Sequence, residues 1–170
     1  MSYTLSSSSL PAETKFLTRI ISDQVCGPTD GTKIITEQQE LFPSGIINFD
    51  FYGLNEPSVA TKQVLFDVYK LHYGRGATGT KIFNSLGRSL EELCFSLAQI
   101  IDIVKNNPKI FSTQALFLTQ DKKGNFFLIR VCDITIYSYG SICAFAFTER
   151  FPWRASYQFQ FVVPQHAIIK

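Results

Sequence analysis

The sequence predicts an α+β domain: a C-terminal four-stranded antiparallel meander packed against helices, with an N-terminal helix and two additional short strands. Three observations predict it. Between Ala115 and Val163 four strand-like segments follow one another through short connections, and a parallel pair would need a crossover of about a dozen residues. Ser89 opens the strongest helical pattern of the chain. Upstream of it, helical and strand-like runs come in blocks and not in strict alternation.

Residues 1–8 are serine-rich and read as a flexible N-terminus, leaving 9–170 as a single domain. Ser9 can cap a first helix with Pro11 in its first turn, and Phe16, Leu17, Ile20, Ile21 and Gln24 recur at three- and four-residue spacing. Gly27-Pro28 stops it. Thr32–Thr36 is a short strand candidate, and Ile46–Tyr52 a stronger one. Asn55-Glu-Pro-Ser58 opens a second helix with Val64, Leu65, Val68 and Leu71 as its buried stripe, although the β-branched and aromatic residues of Val64–Tyr69 also suit a strand. Gly74–Gly79 is a glycine-rich connector. Ser89-Leu-Glu-Glu92 is a capping box, and Leu90, Leu93, Cys94, Leu97, Ile100, Ile101 and Val104 trace one helical face as far as Asn106-Asn-Pro108.

The meander then begins. Ala115–Gln120 and Phe126–Tyr139 flank Asp121-Lys-Lys-Gly-Asn125, a loop of hairpin length. Phe126–Tyr139 is apolar on both faces over its first half, as a covered central strand is. Ile142–Glu149 returns after Gly140-Ser141. Phe151-Pro-Trp-Arg154 breaks the pattern, since proline cannot donate to a ladder. In the last strand, 156–163, Tyr157, Phe159, Phe161 and Val163 alternate with Gln158, Gln160 and Val162.

Composition narrows function without naming one. A chain of 170 residues buries a core without staples. Its net charge of +2 gives little attraction for nucleic acid or an anionic membrane. Sixteen phenylalanines imply either a phenylalanine-dense core or an aromatic surface kept for a partner. Cys26, Cys94, Cys132 and Cys143 are scattered, form no CxxC pair and read as reduced, inert thiols. No apolar run is long enough to span a membrane and the N-terminus lacks the pattern of a secretory signal, which suggests a cytoplasmic protein.

The most tempting motif is His72-Tyr-Gly-Arg-Gly-Ala-Thr-Gly-Thr-Lys81. Its glycines match GxGxxG and nearly match GxxxxGK[ST], but lysine and threonine are exchanged. The exchange turns the ammonium roughly 100° around the start of any following helix. Arg75, Thr78, Thr80 and Lys81 are the phosphate-binding candidates, against a plain connector between helices. His72 and His166 have no partner at metal-ligand or general-base spacing, so no metal or cofactor is expected. Asp133 interrupts an apolar strand three positions after Arg130, on the opposite face.

Glu149–Arg154 joins the only tryptophan to two arginines, residue types enriched at interfaces. Arg150, Phe151, Trp153 and Arg154 are therefore the candidate interaction surface. The reading that follows is a non-enzymatic protein-binding module, an adaptor or subunit of a larger assembly. Self-association through an edge strand at 156–163 or 115–120 would fit it. The first alternative is nucleotide or phosphate binding at Gly74–Lys81. The second is single-stranded nucleic acid on an aromatic sheet face with Arg130, Arg150 and Arg154.

Overall fold

A computed structural model describes residues 10–72, 77–111, 113–132, 140–148 and 159–165. The architecture corrects the expected one. Seven strands form one mixed sheet, β1 (Leu17–Cys26), β2 (Gly45–Ile47), β3 (Val64–Leu71), β4 (Ala115–Gln120), β5 (Phe126–Cys132), β6 (Ser141–Ala146) and β7 (Gln160–Pro164), in the order β1-β3-β7-β4-β5-β6-β2. Two α-helices, α1 (Gly79–Asn84) and α2 (Leu97–Asn106), join it with three short 3-10 turns.

The predicted N-terminal helix is strand β1. Its helix-like spacing has a physical origin: the register with β3 breaks between Arg19 and Ile21 and again between Ile21 and Gln24. Each break inserts an unpaired residue, and a bulged strand loses its period of two. Asp23, at φ 55, sits in one of them. The predicted second helix is strand β3, with Phe66, Asp67, Val68 and Tyr69 all buried between two neighbours. A strand covered on both faces has a continuous apolar run that periodicity cannot separate from a helix.

The expected strand at 32–36 is a 3-10 turn at Ile35–Glu37. The one at 46–52 stops at Ile47, because Asn48 takes φ 69 and the chain turns. The helix expected from Ser89 starts at Ser96. The Ser89/Glu92 box does form, with Ser89 N–H donating to Glu92 Oε2 at 2.9 Å. It caps only the 3-10 turn Glu91–Leu93, after which Phe95 N–H donates to Leu118 C=O on β4 at 2.8 Å. A second box seven residues later, Ser96 with Gln99, starts α2.

The four-stranded meander is not formed. β4, β5 and β6 are consecutive antiparallel neighbours, but β7 leaves β6 and inserts between β3, antiparallel, and β4, parallel. The stretch between β6 and β7 is long enough for that crossover, so the short-connection argument fails there. It follows that 115–120 and β7 are interior strands; the edges are β1 and β2.

Both faces are covered. On one, α2 contributes Leu97, Ile100, Ile101 and Val104 over Phe66, Phe117, Ile129 and Val162. On the other, Phe16, Ile82, Phe83 and Leu93 cover Tyr69, Leu118, Leu128 and Phe161. Eleven of the sixteen phenylalanines are buried in these layers, so most of the aromatic excess is core. Among the described residues no helix is long and apolar enough to cross a membrane.

Candidate functional site

The described surface has a groove of about 480 Å³ between three elements: the loop 52–59, the β4–β5 turn with Thr119–Lys123, and Ser96 and Leu97 at the start of α2. Its volume lies within the ~300–1,000 Å³ of ordinary ligand clefts. Local chemistry fixes each wall.

The loop wall is anchored from below. Leu54 N–H donates to Phe49 C=O at 2.8 Å, and both side chains are core. Farther along, Ser58 N–H donates to Gly31 C=O at 2.9 Å, and Thr29 and Thr61 exchange backbone hydrogen bonds of 3.0 and 2.8 Å. Gly31 is required here: its φ is +79, and a Cβ would sit 2.2 Å from the Ser58 carbonyl oxygen. The turn wall is shaped by Asp121, which accepts from the N–H groups of Lys123 and Asn125, each at 2.8 Å, and from Asn125 Nδ2 at 2.8 Å. Those bonds favour the ionised form and hold the Asp121 carboxyl below its usual range. The third wall is tied to β4 by Thr119 Oγ1, which donates to Phe95 C=O at 2.7 Å.

At the mouth, Lys122 Nζ lies 2.5 Å from Glu56 Oε2, linking turn to loop. Phe51 packs edge-on against Tyr52 with ring centroids 4.9 Å apart, and Tyr52 leans on Phe127 of the core. Phe51 is 81% exposed and Val59 79%, the two most exposed large hydrophobic residues among those described.

The residues singled out from sequence fall elsewhere. Arg150, Phe151, Trp153, Arg154, Asp133, His166 and Arg75 lie outside the described residues. Thr78, Thr80 and Lys81 are at the start of α1, and the element before the glycines is strand β3, not a helix. That strand is antiparallel to both neighbours, unlike the parallel strand that leads into a dinucleotide-binding loop. The Thr78 hydroxyl is occupied as N-cap, accepting Lys81 N–H at 3.3 Å. His72 follows the last residue of β3, and its Nε2 donates to Thr14 C=O at 3.1 Å, a structural bond.

Arg130 stands on β5 with its guanidinium 5.0 Å from the Phe145 ring, and its buried Nε has no hydrogen-bond partner among the described residues. The flat aromatic platform required by single-stranded nucleic acid is missing from the described strands, because both faces of the sheet are packed. Cys26, Cys94 and Cys143 are free thiols. Burial pushes the Cys26 thiol up to about 11 and Cys94 to about 12, so neither is a thiolate at neutral pH. Cys132 opposes Ser141 and Cys143 opposes Arg130 across the β5–β6 ladder, out of register with one another. No cluster of three metal-ligating side chains occurs among the described residues.

Sequence reasoning missed two features. One is the groove, whose residues 55–58 were assigned to a helix start; the signal was the Phe51-Tyr-Gly-Leu54 run ending against a polar, proline-containing loop. The other is a buried polar cluster on β3. Asp67 is fully buried and accepts from Arg19 Nη1 at 3.2 Å, Asp23 N–H at 3.0 Å and Gln165 Nε2 at 2.6 Å. Burial acts to lower the Arg19 pKa, but the hydrogen bond and charge of Asp67 outweigh it and hold it above the ordinary value. Burial likewise raises the Tyr69 phenol, with Asp67 adding to it; its hydroxyl donates to Pro11 C=O at 2.8 Å. The carboxylate is satisfied on every side, which makes this cluster a structural clasp between β1, β3 and the end of β7. Its signal in the sequence was a lone aspartate inside Val64–Leu71.

Compared with known protein families, with curated proteins and with solved structures, the chain finds no match.

Proposed function

We propose that the protein is a non-enzymatic protein-binding module, an adaptor or a subunit of a larger assembly, and that the groove beside loop 52–59 is its recognition surface. The observation that carries this reading is the position of Phe51 and Val59. Scattered exposed hydrophobic residues need no explanation, but Val59 lines a single concavity and Phe51 packs against Tyr52, which lines it too. Apolar contact area with a polar rim is what interfaces use. Arg150, Phe151, Trp153 and Arg154 remain a second surface of the same proposal, resting on residue type alone.

The test is co-purification from the native cell with the wild-type chain, Val59→Glu and the Trp153→Ala/Arg154→Ala pair. Loss of partners in a folded variant assigns the surface; unchanged partners in all variants would sink the proposal. One observation favours a second reading, phosphate or nucleotide binding: strand β3, the glycines and α1 follow in the order such loops have. Arg75, Thr78, Thr80 and Lys81 would carry it. A thermal-shift panel of nucleotides with magnesium checks it, and no stabilisation at millimolar ligand removes it.

A further inference from the structure

The chain has a single Asp-Gly step, Asp30-Gly31, and no Asn-Gly. Aspartate before glycine is open to a spontaneous reaction, because no side chain on the second residue hinders attack by its backbone nitrogen. Gly31 N attacks Asp30 Cγ and a five-membered succinimide ring closes; the amide proton and the carboxyl hydroxyl leave as water. Water then opens the ring at either carbonyl. One opening restores aspartate, and the other leaves a β-linked isoaspartate whose main chain is one atom longer.

The fold places this step between two anchors on one neighbouring segment. Before it, Thr29 N–H donates to Thr61 C=O at 3.0 Å and Thr61 N–H returns the bond at 2.8 Å, with the two hydroxyls 2.8 Å apart. After it, Ser58 N–H donates to Gly31 C=O at 2.9 Å. Gly31 is buried against the backbone of Ser58 and Val59 without room for a methyl group. The span from Thr29 to Gly31 is therefore fixed at both ends, and neither a ring nor an extra main-chain atom fits without breaking an anchor. The Asp30 side chain is committed as well. Its Oδ1 accepts from Thr32 N–H at 2.9 Å and from Thr32 Oγ1 at 2.7 Å, an Asx turn. These bonds favour the ionised carboxylate and hold the Asp30 carboxyl below its usual range, away from the neutral acid that loses water.

We propose that Asp30-Gly31 is a latent modification site, closed to succinimide formation while the Thr29–Thr61 and Gly31–Ser58 bonds hold, and exposed by local opening of that loop. Isoaspartate formed in the opened chain bars its return to the native pairing. Ser58 and Val59 line the groove, so the modified chain carries a displaced loop wall.

The full-length protein and a synthetic peptide spanning Ile20–Lys33 are incubated side by side at neutral pH. Isoaspartate at position 30 is then quantified by electron-transfer fragmentation of the tryptic peptide 20–33. The protein is expected to form it at least roughly tenfold more slowly than the peptide, because reaction waits on a minority open state. Ser58→Pro, which deletes the N–H held by Gly31, should bring the rate up towards that of the peptide. Thr61→Val, which removes only the hydroxyl pair with Thr29, should raise it by less. Thermal melts confirm that the variants fold, and if Ser58→Pro does not, Thr61→Val alone decides. Weaker protection of the wild type, or folded variants that react no faster than it does, overturns the inference.

Discussion

Strands β4 and β1 are held in place by different physics. β4 pairs with β5 residue for residue from Ala115↔Val131 to Gln120↔Phe126, and only Gln120 of its six residues is exposed. β1 is ten residues long, buried only at its two ends, and broken twice in register. The centre is a matter of apolar area: Phe117 sits among Phe95 and Phe111 with ring centroids 5.7 and 5.9 Å away. The edge is a matter of directed polar bonds, the Asp67 clasp that ties Arg19 and Asp23 of β1 to β3 and Gln165. Bulges at an edge also deter other strands from adding to it. Area specifies a position loosely and strongly, whereas a buried carboxylate specifies one register at the risk of a large penalty if a partner is lost.

Removing area from the centre should have the largest effect. Phe117→Ala is expected to cost about 3–5 kcal/mol in urea unfolding, from lost transfer energy and the cavity left behind. Breaking the clasp comes next. Asp67→Ala leaves the Asp23 N–H without its acceptor and removes one of the two acceptors of Arg19 Nη1 and of Gln165 Nε2, which keep Leu10 C=O and Asp23 Oδ1, with an expected cost of about 2–3 kcal/mol. Should Asp67→Ala equal or exceed Phe117→Ala, the contrast between centre and edge would be wrong. Gly31→Ala, away from both strands, combines a positive φ with the clash at the Ser58 carbonyl and should cost about 1–3 kcal/mol. It should also weaken whatever binds the groove, because it displaces the loop wall.

A pH series sharpens the picture of the core. The folded-state pKa values of Cys26 and Cys94, about 11 and about 12, lie above the ordinary 9.0 of a free thiol. Below pH 9 these thiols are neutral in both states and cost nothing. As pH rises from 9 through 11 and 12, the unfolded chain ionises first and stability is lost. The wild type should therefore lose more of its thermal midpoint between pH 8 and 10.5 than the Cys26→Ala/Cys94→Ala variant; equal losses would remove the thiols from the explanation. The smallest effect belongs to Glu56→Gln. Its ion pair with Lys122 is exposed on both sides, and the unfolding midpoint should not measurably change.

What was legible in the residues follows the same divide. Where side chains meet only local neighbours, the reading reached the structure: the turn at Asp121–Asn125, the strand Ala115–Gln120 before it, the first part of the strand after it as far as Cys132, and the helical face from Leu97 to Val104. Capping chemistry was legible too, but Ser89 and Ser96 carry equivalent signals, and only the bond from Phe95 to Leu118 makes the first a single turn. Of the groove, neither the lining residues nor their meeting was read from the sequence. Nothing in Tyr52–Val59 announces that it will face Lys122 and Lys123, which join it through a separate hairpin.

The sequence by itself determined a β4–β5 hairpin and an amphipathic helix over Leu97–Val104, since propensity, turn residues and periodicity act over a few positions. Only the tertiary structure decided that 17–26 and 64–71 are strands, that β7 lies between β3 and β4, and that a groove opens beside Phe51. These are outcomes of non-local pairing. A bulge mimics a helical period, a doubly covered strand has no period, and the place of a strand in a sheet depends on which distant face it can bury.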